Sequence, residues 1–431
     1  MLDIEMMSLV FVNIISNICY SVLNPFLPIE LKKRNVSLSL YGFIFAMYAF
    51  AVILGSTWVG KSLTIFGRKA ILVTGLFSMA ASLLGFSMLD SLSEQLVVPV
   101  ALIFRMCQGL SSSCIQTTSY AIVPVLYSDK QQKYLGILET SISLGCIIGP
   151  VVGSVLYHYF RFAGTFQALS VAFLVFAVLL IFIVPKTVDK QDLHLMEWSQ
   201  EDSELLNSNA PMITQRIKYL DIFKWRIFVL TAIVAFFSYF WYWFFEPILA
   251  IRLMEFGLSE FWIGMFYTIQ AGGYIVGWIS FTLIPDYFDK KVIITVSMFL
   301  TGTVTFLVGP SPLLPNSLLI MGIGNFFHGM FTSYFVIIPF PLMIETVSSR
   351  YPKQKLESSD ISSGVFNSML GLGQMLAPLY GSYMTDYYGY RFTCDTVGVM
   401  LIVYSLSYYW LWHNTVVKNE QTTDILLKQL N

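Results

Sequence analysis

The chain has 431 residues, of which 56% are hydrophobic and only 12% are charged, and its net charge at pH 7 is −1. A soluble domain carries about twice that share of charged residues, so the composition excludes an ordinary soluble protein. The net charge near zero argues against a nucleic-acid partner.

Apolar runs of about twenty residues recur along the chain, and each is long enough to cross a hydrocarbon core about 30 Å thick. They predict twelve membrane-spanning helices near residues 7–28, 40–60, 70–89, 96–125, 135–157, 165–185, 226–252, 262–284, 292–309, 317–344, 363–383 and 393–413. We therefore expect an all-α polytopic membrane protein. Its predicted parts are two six-helix halves at 1–185 and 226–413, a cytosolic linker at 186–225 and a cytosolic tail at 414–431.

The predicted orientation follows from the lysines and arginines. An even number of spans places both termini on one side, and most basic residues lie in the loops on that side, including Arg68, Lys69, Lys290 and Lys291. The excess of positive charge marks the cytosolic face, so both termini are expected in the cytosol.

The linker contains an acidic dileucine pattern, Glu201-x-x-x-Leu205-Leu206, which resembles a sorting signal for endosomes, lysosomes or vesicles. A vesicle or endolysosomal membrane is one predicted location, and the plasma membrane is the other.

Motifs of the first half recur in the second. Asn24 and the proline after it reappear as Glu246 and the proline after it, and a Gly/Pro element that begins at Gly145 reappears from Gly373. Two parallel halves imply a pseudo-two-fold axis along the membrane normal, with substrate expected near the midplane between the halves.

Three motifs occupy the loop after span two and spans four and five. They are Gly60-x-x-x-Thr64-x-x-Gly67-Arg68-Lys69, Arg105-x-x-Gln108-Gly109 and Gly145-x-x-x-Gly149-Pro150-x-x-Gly153, and the last has a counterpart in span eleven, Gly373-x-x-x-Ala377-Pro378. Small residues at four-residue spacing let helices approach closely, and prolines bend spans at places that move. Packing and gating both remain open for these glycines.

Together these motifs resemble the signature set of the major facilitator superfamily over nearly the whole chain. The Gly/Pro element of span five resembles that of its proton-coupled antiporter branch. Members usually have an acid where this chain has Thr64, which puts a gating contact based on that acid in doubt.

A closer resemblance rests on span one, on Leu138-Glu139-Thr140 in span five and on Glu246-Pro247 in span seven. The span-one pattern is Val12-Asn13-x-x-Ser16-x-x-Cys19-Tyr20-Ser21-x-Leu23-x-Pro25-Phe26-x-Pro28. These residues are similar to the vesicular amine transporters, most of all to their polyamine-transporting branch. The resemblance implies exchange of lumenal protons for cytosolic organic cations. The monoamine members have membrane acids where this chain has Ser16 and Asn367, so the resemblance points away from monoamines.

Charged residues inside spans are costly and usually functional. Glu246 is the foremost candidate, because Tyr239, Tyr242 and Trp243 precede it at helical spacing. A carboxylate beside aromatic faces can hold an organic cation by charge pairing and cation–π attraction. Burial favours the protonated carboxyl group when no cation is bound. The alternative for the aromatic residues is an interfacial belt near the outer end of the span.

Other polar residues within the spans form the second set of candidates. Glu139 is a candidate proton relay or partner of Arg105, and the repeat pairs it with Asn367. Polar stripes on two spans either line a water-filled path or join helices; their members include Arg105 and Gln108 on span four and Asn13, Asn17 and Asn24 on span one. His328 stands where the repeat places Gln108, and it is a candidate proton carrier or a hydrogen-bonding helix contact.

The sequence gives no sign of a metal, cofactor or enzyme site, because its five cysteines form no CxxC pair, its four histidines are scattered and no nucleophile–base pair is visible. We expect a monomer in the lipid bilayer that exchanges a small organic cation for protons. The rivals are a uniporter or symporter of a neutral or anionic metabolite, and a receptor on the same fold that moves nothing.

Overall fold

The computed structural model describes residues 3–127, 131–184, 222–281, 283, 288–351 and 355–430. The helices, in chain order, are α1 (Ile4–Lys33), α2 (Leu38–Phe66), α3 (Arg68–Ser87), α4 (Glu94–Leu126), α5 (Gln131–Ile183), α6 (Arg226–Trp243), α7 (Leu249–Glu255), α8 (Glu260–Phe281), α9 (Lys290–Val308), α10 (Leu318–Ile337), α11 (Pro339–Ser348), α12 (Lys355–Tyr388) and α13 (Tyr390–Leu430). The predicted all-α class is confirmed. The dileucine pattern of the linker lies outside the described residues.

The predicted spans coincide with these helices. Over the described residues, nine helical stretches are long and apolar enough to cross a membrane. One of them belongs to α5, which covers predicted spans five and six and is interrupted at Arg161, where φ is 59° and ψ is −170°. Helices α8 and α12 occupy predicted spans eight and eleven. A helix therefore stands at every predicted span.

Two predicted spans differ from the structure because proline divides them. Span seven consists of α6 and α7, and Glu246 lies in the turn between them. Pro247 has no N–H and disfavours helical geometry in the residue before it. The turn is tightened, since Glu246 N–H donates to Trp243 O at 3.2 Å and Ile248 N–H donates to Phe245 O at 3.0 Å. Span ten likewise consists of α10 and α11, with Pro339 at the start of α11.

The chain forms two compact units, Met1–Gln215 with Leu249–Thr268 and Arg216–Ile248 with Ile269–Asn431. In the first unit, α1 packs on α5, and α3 and α2 pack on α4. In the second unit, α6 packs on α12, and α9 packs on α10 and α13. The predicted division of the chain at 186–225 stays a prediction.

Corresponding pairs of helices cross closely within each of the two units. At several glycines, an added Cβ would collide with the backbone carbonyl oxygen of a neighbouring helix, so only glycine permits the approach, and four of these glycines correspond between the units. The pairs are Gly145 with Ile14, Gly373 with Phe236, Gly109 with Tyr48 and Gly329 with Gln270. The crossing of α1 with α5 therefore corresponds to that of α6 with α12, and the crossing of α2 with α4 corresponds to that of α8 with α10.

Neighbouring glycines of α8 give a matched test of this packing. Alanine at Gly273 would collide with the Phe326 carbonyl group, whereas nothing lies within 4 Å of the Cβ position at Gly272. We expect Gly273→Ala to lower stability by about 1–3 kcal/mol through overpacking. Gly272→Ala, the control, should raise stability by up to about 1 kcal/mol through helix propensity. Thermal unfolding midpoints in detergent check both, and equal midpoints would contradict the crossing.

Candidate functional site

Three aromatic rings and an amide enclose the guanidinium group of Arg105 in the first unit. Its central carbon lies 5.4, 5.0 and 5.2 Å from the ring centroids of Tyr20, Phe45 and Tyr48. One guanidinium nitrogen donates to Gln108 Oε1 at 3.3 Å. Arg105 is fully buried. The faces of aromatic rings attract a cation, so this arrangement, called the Arg105 box, is a desolvated cation site occupied by the protein's own side chain.

The predicted polar stripes of spans one and four meet in the first unit. Asn13 Nδ2 donates to Ser119 Oγ at 3.0 Å, which joins α1 to α4. Asn17 contacts α5, with its Oδ1 3.7 Å from Cys146 Sγ. Asn24 is buried as well. These contacts join helices, which is one of the two predicted roles, and the lining of a water-filled path stays a prediction.

Glu246, in the second unit, is buried with an exposed fraction of 3%. The aromatic residues that precede it form a connected group: the ring centroids of Tyr242 lie 4.6 Å from Trp243 and 5.6 Å from Tyr274, and Tyr239 lies 6.5 Å from Trp243. The carboxyl group thus follows directly on an aromatic turn of α6. A buried carboxyl group is stable when it is protonated or paired, which suits it to hold either a proton or a cation.

His328 and Asn325 form a fully buried polar pair one turn apart on α10. His328 Nδ1 lies 3.4 Å from Gln270 Nε2. The rings of Phe244 and Phe245 lie 6.4 and 5.6 Å from the imidazole. Within the described part of the chain, His328 Nε2 and both polar side-chain atoms of Asn325 have no hydrogen-bond partner. These buried polar atoms are available to a ligand or to water.

Two further predicted site residues are Glu139 and Asn367. Glu139 lies on α5, and its side chain is outside the described part of the structure. Asn367 is exposed on α12, where its Nδ2 donates to Ser363 Oγ at 3.3 Å. Among the described residues, no three His, Cys, Asp or Glu side chains group as metal ligands would.

The basic motif after α2 attaches the connection between α2 and α3 to the end of α5. Gly67, with φ of 83°, adopts a conformation that favours glycine and connects α2 with α3. Lys69 Nζ then donates to the carbonyl oxygens of Ile181 and Val184, at 2.6 Å each. A lysine at this position satisfies carbonyl groups that the helix end leaves without partners. The side chain of Thr64 lies outside the described residues.

The corresponding loop of the second unit uses different contacts. Lys290 Nζ pairs with Glu345 Oε2 at 3.1 Å, and both side chains are largely exposed. Asp289 caps α9 by accepting a hydrogen bond from Lys291 N–H at 2.9 Å. The first loop is thus held by backbone carbonyls and the second by an exposed ion pair.

The Gly/Pro elements lie at helix contacts. A Cβ at Gly149 would collide with Ser21 Oγ, and one at Gly153 would lie 2.9 Å from a Phe26 ring carbon. In α12, Ala377 is buried and Pro378 is inside the helix. Gly60 has open space around it. Close packing accounts for Gly149 and Gly153, and a gating role stays a prediction.

The described residues form helices, nine stretches of which are long and apolar enough to cross a membrane, and this defines the class of multi-pass membrane proteins. The family model of the Major Facilitator Superfamily matches residues 9–359, and the chain belongs to that superfamily. It is therefore a transporter of small molecules and not an enzyme.

Relatives and solved structures agree with this assignment. The MFS-type transporter SLC18B1 of mouse is 24% identical over 407 residues, which cover 93% of this chain and 84% of the relative. The synaptic vesicular amine transporter of cattle is 23% identical over 278 residues, covering 63% and 48%. A bacterial homologue of the human lysosomal transporter Spinster, inward-facing and occupied, has a TM-score of 0.71 at 12% identity, covering 95% and 96%. The predicted resemblance to the superfamily and its vesicular amine transporters is confirmed.

Sequence reasoning missed three residues that flank the buried polar groups, namely Phe45, Tyr48 and Gln270. A usable signal was present: the offset that pairs Asn24 with Glu246 also pairs Tyr48 with Gln270. Motifs and charged residues alone do not point to these partners, because the partners lie on the neighbouring helix.

The two loop lysines give a matched stability test. Lys69→Met should destabilise the protein by about 1.5–3 kcal/mol, because hydrogen bonds to a charged group are lost and helix-end carbonyls lose their partner. Lys290→Met should cost less than about 1 kcal/mol, because exposed ion pairs contribute little. Unfolding midpoints of the purified variants check this order, and a larger loss for Lys290→Met would contradict the contacts of Lys69.

Proposed function

We propose that this transporter exchanges protons for small organic cations of the amine class, with polyamines as the expected substrates, by alternating access. The observation that carries the proposal is the buried Glu246 beside the aromatic turn of α6. Acids inside spans usually mark substrate or proton pathways.

Coupling follows from competition at one carboxyl group. Away from water, a carboxylate must be neutralised by a proton or balanced by a nearby cation. Glu246 cannot hold both at once, so a proton acquired on the acidic side is exchanged for an organic cation on the other side. If the charged carrier without a cation does not reorient, the two flows are obligatorily coupled.

Similarity supports the choice of substrate. A relative of this chain is named a synaptic vesicular amine transporter, and amines are protonated near neutral pH. The placement of basic residues supports cytosolic termini and, with the linker pattern, a vesicle or endolysosomal membrane. The transporter is proposed to work as a monomer.

A facilitator of anionic metabolites is the second candidate, and the observation that favours it is the buried cation of Arg105. The rings of the Arg105 box surround that guanidinium group, and this contact weighs against the second candidate because it already stabilises the cation without an anion. The two candidates separate by experiment, because transport of an anion by uniport would not respond to an imposed pH gradient.

The experiment is uptake of labelled spermidine into proteoliposomes with an acidic lumen, before and after collapse of the pH gradient. Uptake that the collapse abolishes supports amine–proton exchange. Uptake unaffected by the collapse rejects proton coupling, and binding without flux would indicate a receptor.

Glu246→Gln gives the sharpest test of the residue. The amide has nearly the same shape but cannot take up a proton or balance a cation, so gradient-driven uptake should fall at least about tenfold, as expected for loss of a charge-assisted contact. The control is Glu94→Gln, which changes an exposed carboxylate in the first turn of α4 and should leave uptake within about twofold. Unchanged pH dependence in Glu246→Gln would reject the mechanism.

A further inference from the structure

The Arg105 box shows how this fold holds a cation. The guanidinium group lies against the rings of Tyr20, Phe45 and Tyr48 at 5.0–5.4 Å and donates to Gln108. All of these groups belong to α1, α2 and α4 of the first unit. The box is therefore a template in which a side chain of the protein occupies the place of a bound organic cation.

The second unit contains the same frame. The sequence offset that pairs Asn24 with Glu246 also pairs Tyr20 with Tyr242 and Tyr48 with Gln270. The structure supports this correspondence independently, because Gly109 packs on the Tyr48 carbonyl as Gly329 packs on the Gln270 carbonyl. The four residues before each of these glycines then correspond as well, so that Asn325 takes the place of Arg105 and His328 that of Gln108.

Two substitutions reverse the charges of this frame. Arg105 of the first unit is replaced by the neutral Asn325, and neutral Asn24 is replaced by the acidic Glu246. The first unit thus has arginine and asparagine at these two positions, and the second unit has asparagine and glutamate.

The side chain of Asn325 is too short to reach the position that corresponds to the Arg105 guanidinium. Its Oδ1 and Nδ2 are fully buried and have no hydrogen-bond partner among the residues that the structure describes, and the same holds for His328 Nε2. Buried polar atoms are almost always satisfied in proteins, so these atoms are available to a polar ligand or to water. The ring of Tyr242, which corresponds to Tyr20 in the repeat, is half-buried and lies 5.6 Å from the ring of Tyr274.

We infer that the second unit binds one end of an organic cation at the position corresponding to the Arg105 guanidinium, and that guanidinium-bearing amines are ligands as well as simple amines. Asn325 Oδ1 accepts a hydrogen bond from the bound group, Tyr242 offers its ring face and Glu246 is the counter-ion. The inference rests on the proposed cation specificity, but it does not depend on proton coupling.

The test is equilibrium binding to the purified full-length protein at fixed pH without a gradient, with labelled 4-guanidinobutylamine and spermidine as probes. Asn325→Arg restores in the second unit the arginine of the first, and its guanidinium group should displace the probe. We expect both probes to bind the unchanged protein saturably and at least about tenfold more weakly to Asn325→Arg, since the site then repels and excludes a second cation. The control is Glu94→Gln, which changes an exposed carboxylate in the first turn of α4 and should bind both probes within about twofold of the unchanged protein.

The unfolding midpoint of Asn325→Arg shows whether this variant folds. A second variant keeps the test decisive if it does not. Asn325→Leu removes the acceptor without adding charge and should weaken both probes at least about threefold. Binding by Asn325→Arg or Asn325→Leu that equals the unchanged protein overturns the inference, as does failure of the unchanged protein to bind the guanidinium probe. Loss of gradient-driven uptake with intact, Asn325-dependent binding would overturn proton exchange alone.

Discussion

The free-energy cost of placing a charged side chain in an apolar medium determines which side chains must surround the charged residues of the spans. Arg105 meets that cost with three ring faces and an amide, all contributed by its own unit. Glu246 is also buried, but it stands in a turn that follows an aromatic surface. The charge of Arg105 is thus balanced within a helical frame, while Glu246 lies where the helix is interrupted.

Backbone geometry positions the polar groups within each unit. Without water in the hydrocarbon region, the chain satisfies its own N–H and C=O groups, which favours helices throughout. Glycines such as Gly109 and Gly329 let neighbouring helices approach to carbonyl contact, and those approaches set the position of Tyr48 and Gln270 beside the polar residues of the next helix. Pro247 interrupts the seventh span where its acid is placed, so the acid belongs to a turn and not to a regular helix.

Hydropathy and repetition predicted the helices, the class and the family, because lipid imposes a length and an apolar composition that can be read along the chain. The turn around Glu246 was missed, since other prolines, including Pro25 and Pro150, lie inside continuous helices and the residue type alone does not separate the two cases. The Arg105 box was missed because its rings come from different helices. Pairings across helices depend on rotation and crossing angle, which periodicity within one span does not determine. The roles of Glu139 and Asn367 and the division into halves stay predictions.

The two loop attachments respond unequally to the surrounding solution. Of the two hydrogen bonds from Lys69 to the end of α5, the one to Ile181 O is exposed and the one to Val184 O is partly buried, so dissolved ions screen the second less than the first. The Lys290–Glu345 pair is largely exposed and weakens as ionic strength rises. The attachment of the first loop therefore keeps a contact that concentrated salt screens little, while that of the second loop weakens as a whole. Homologous loops of one chain thus differ in how strongly the electrolyte around them affects their attachment.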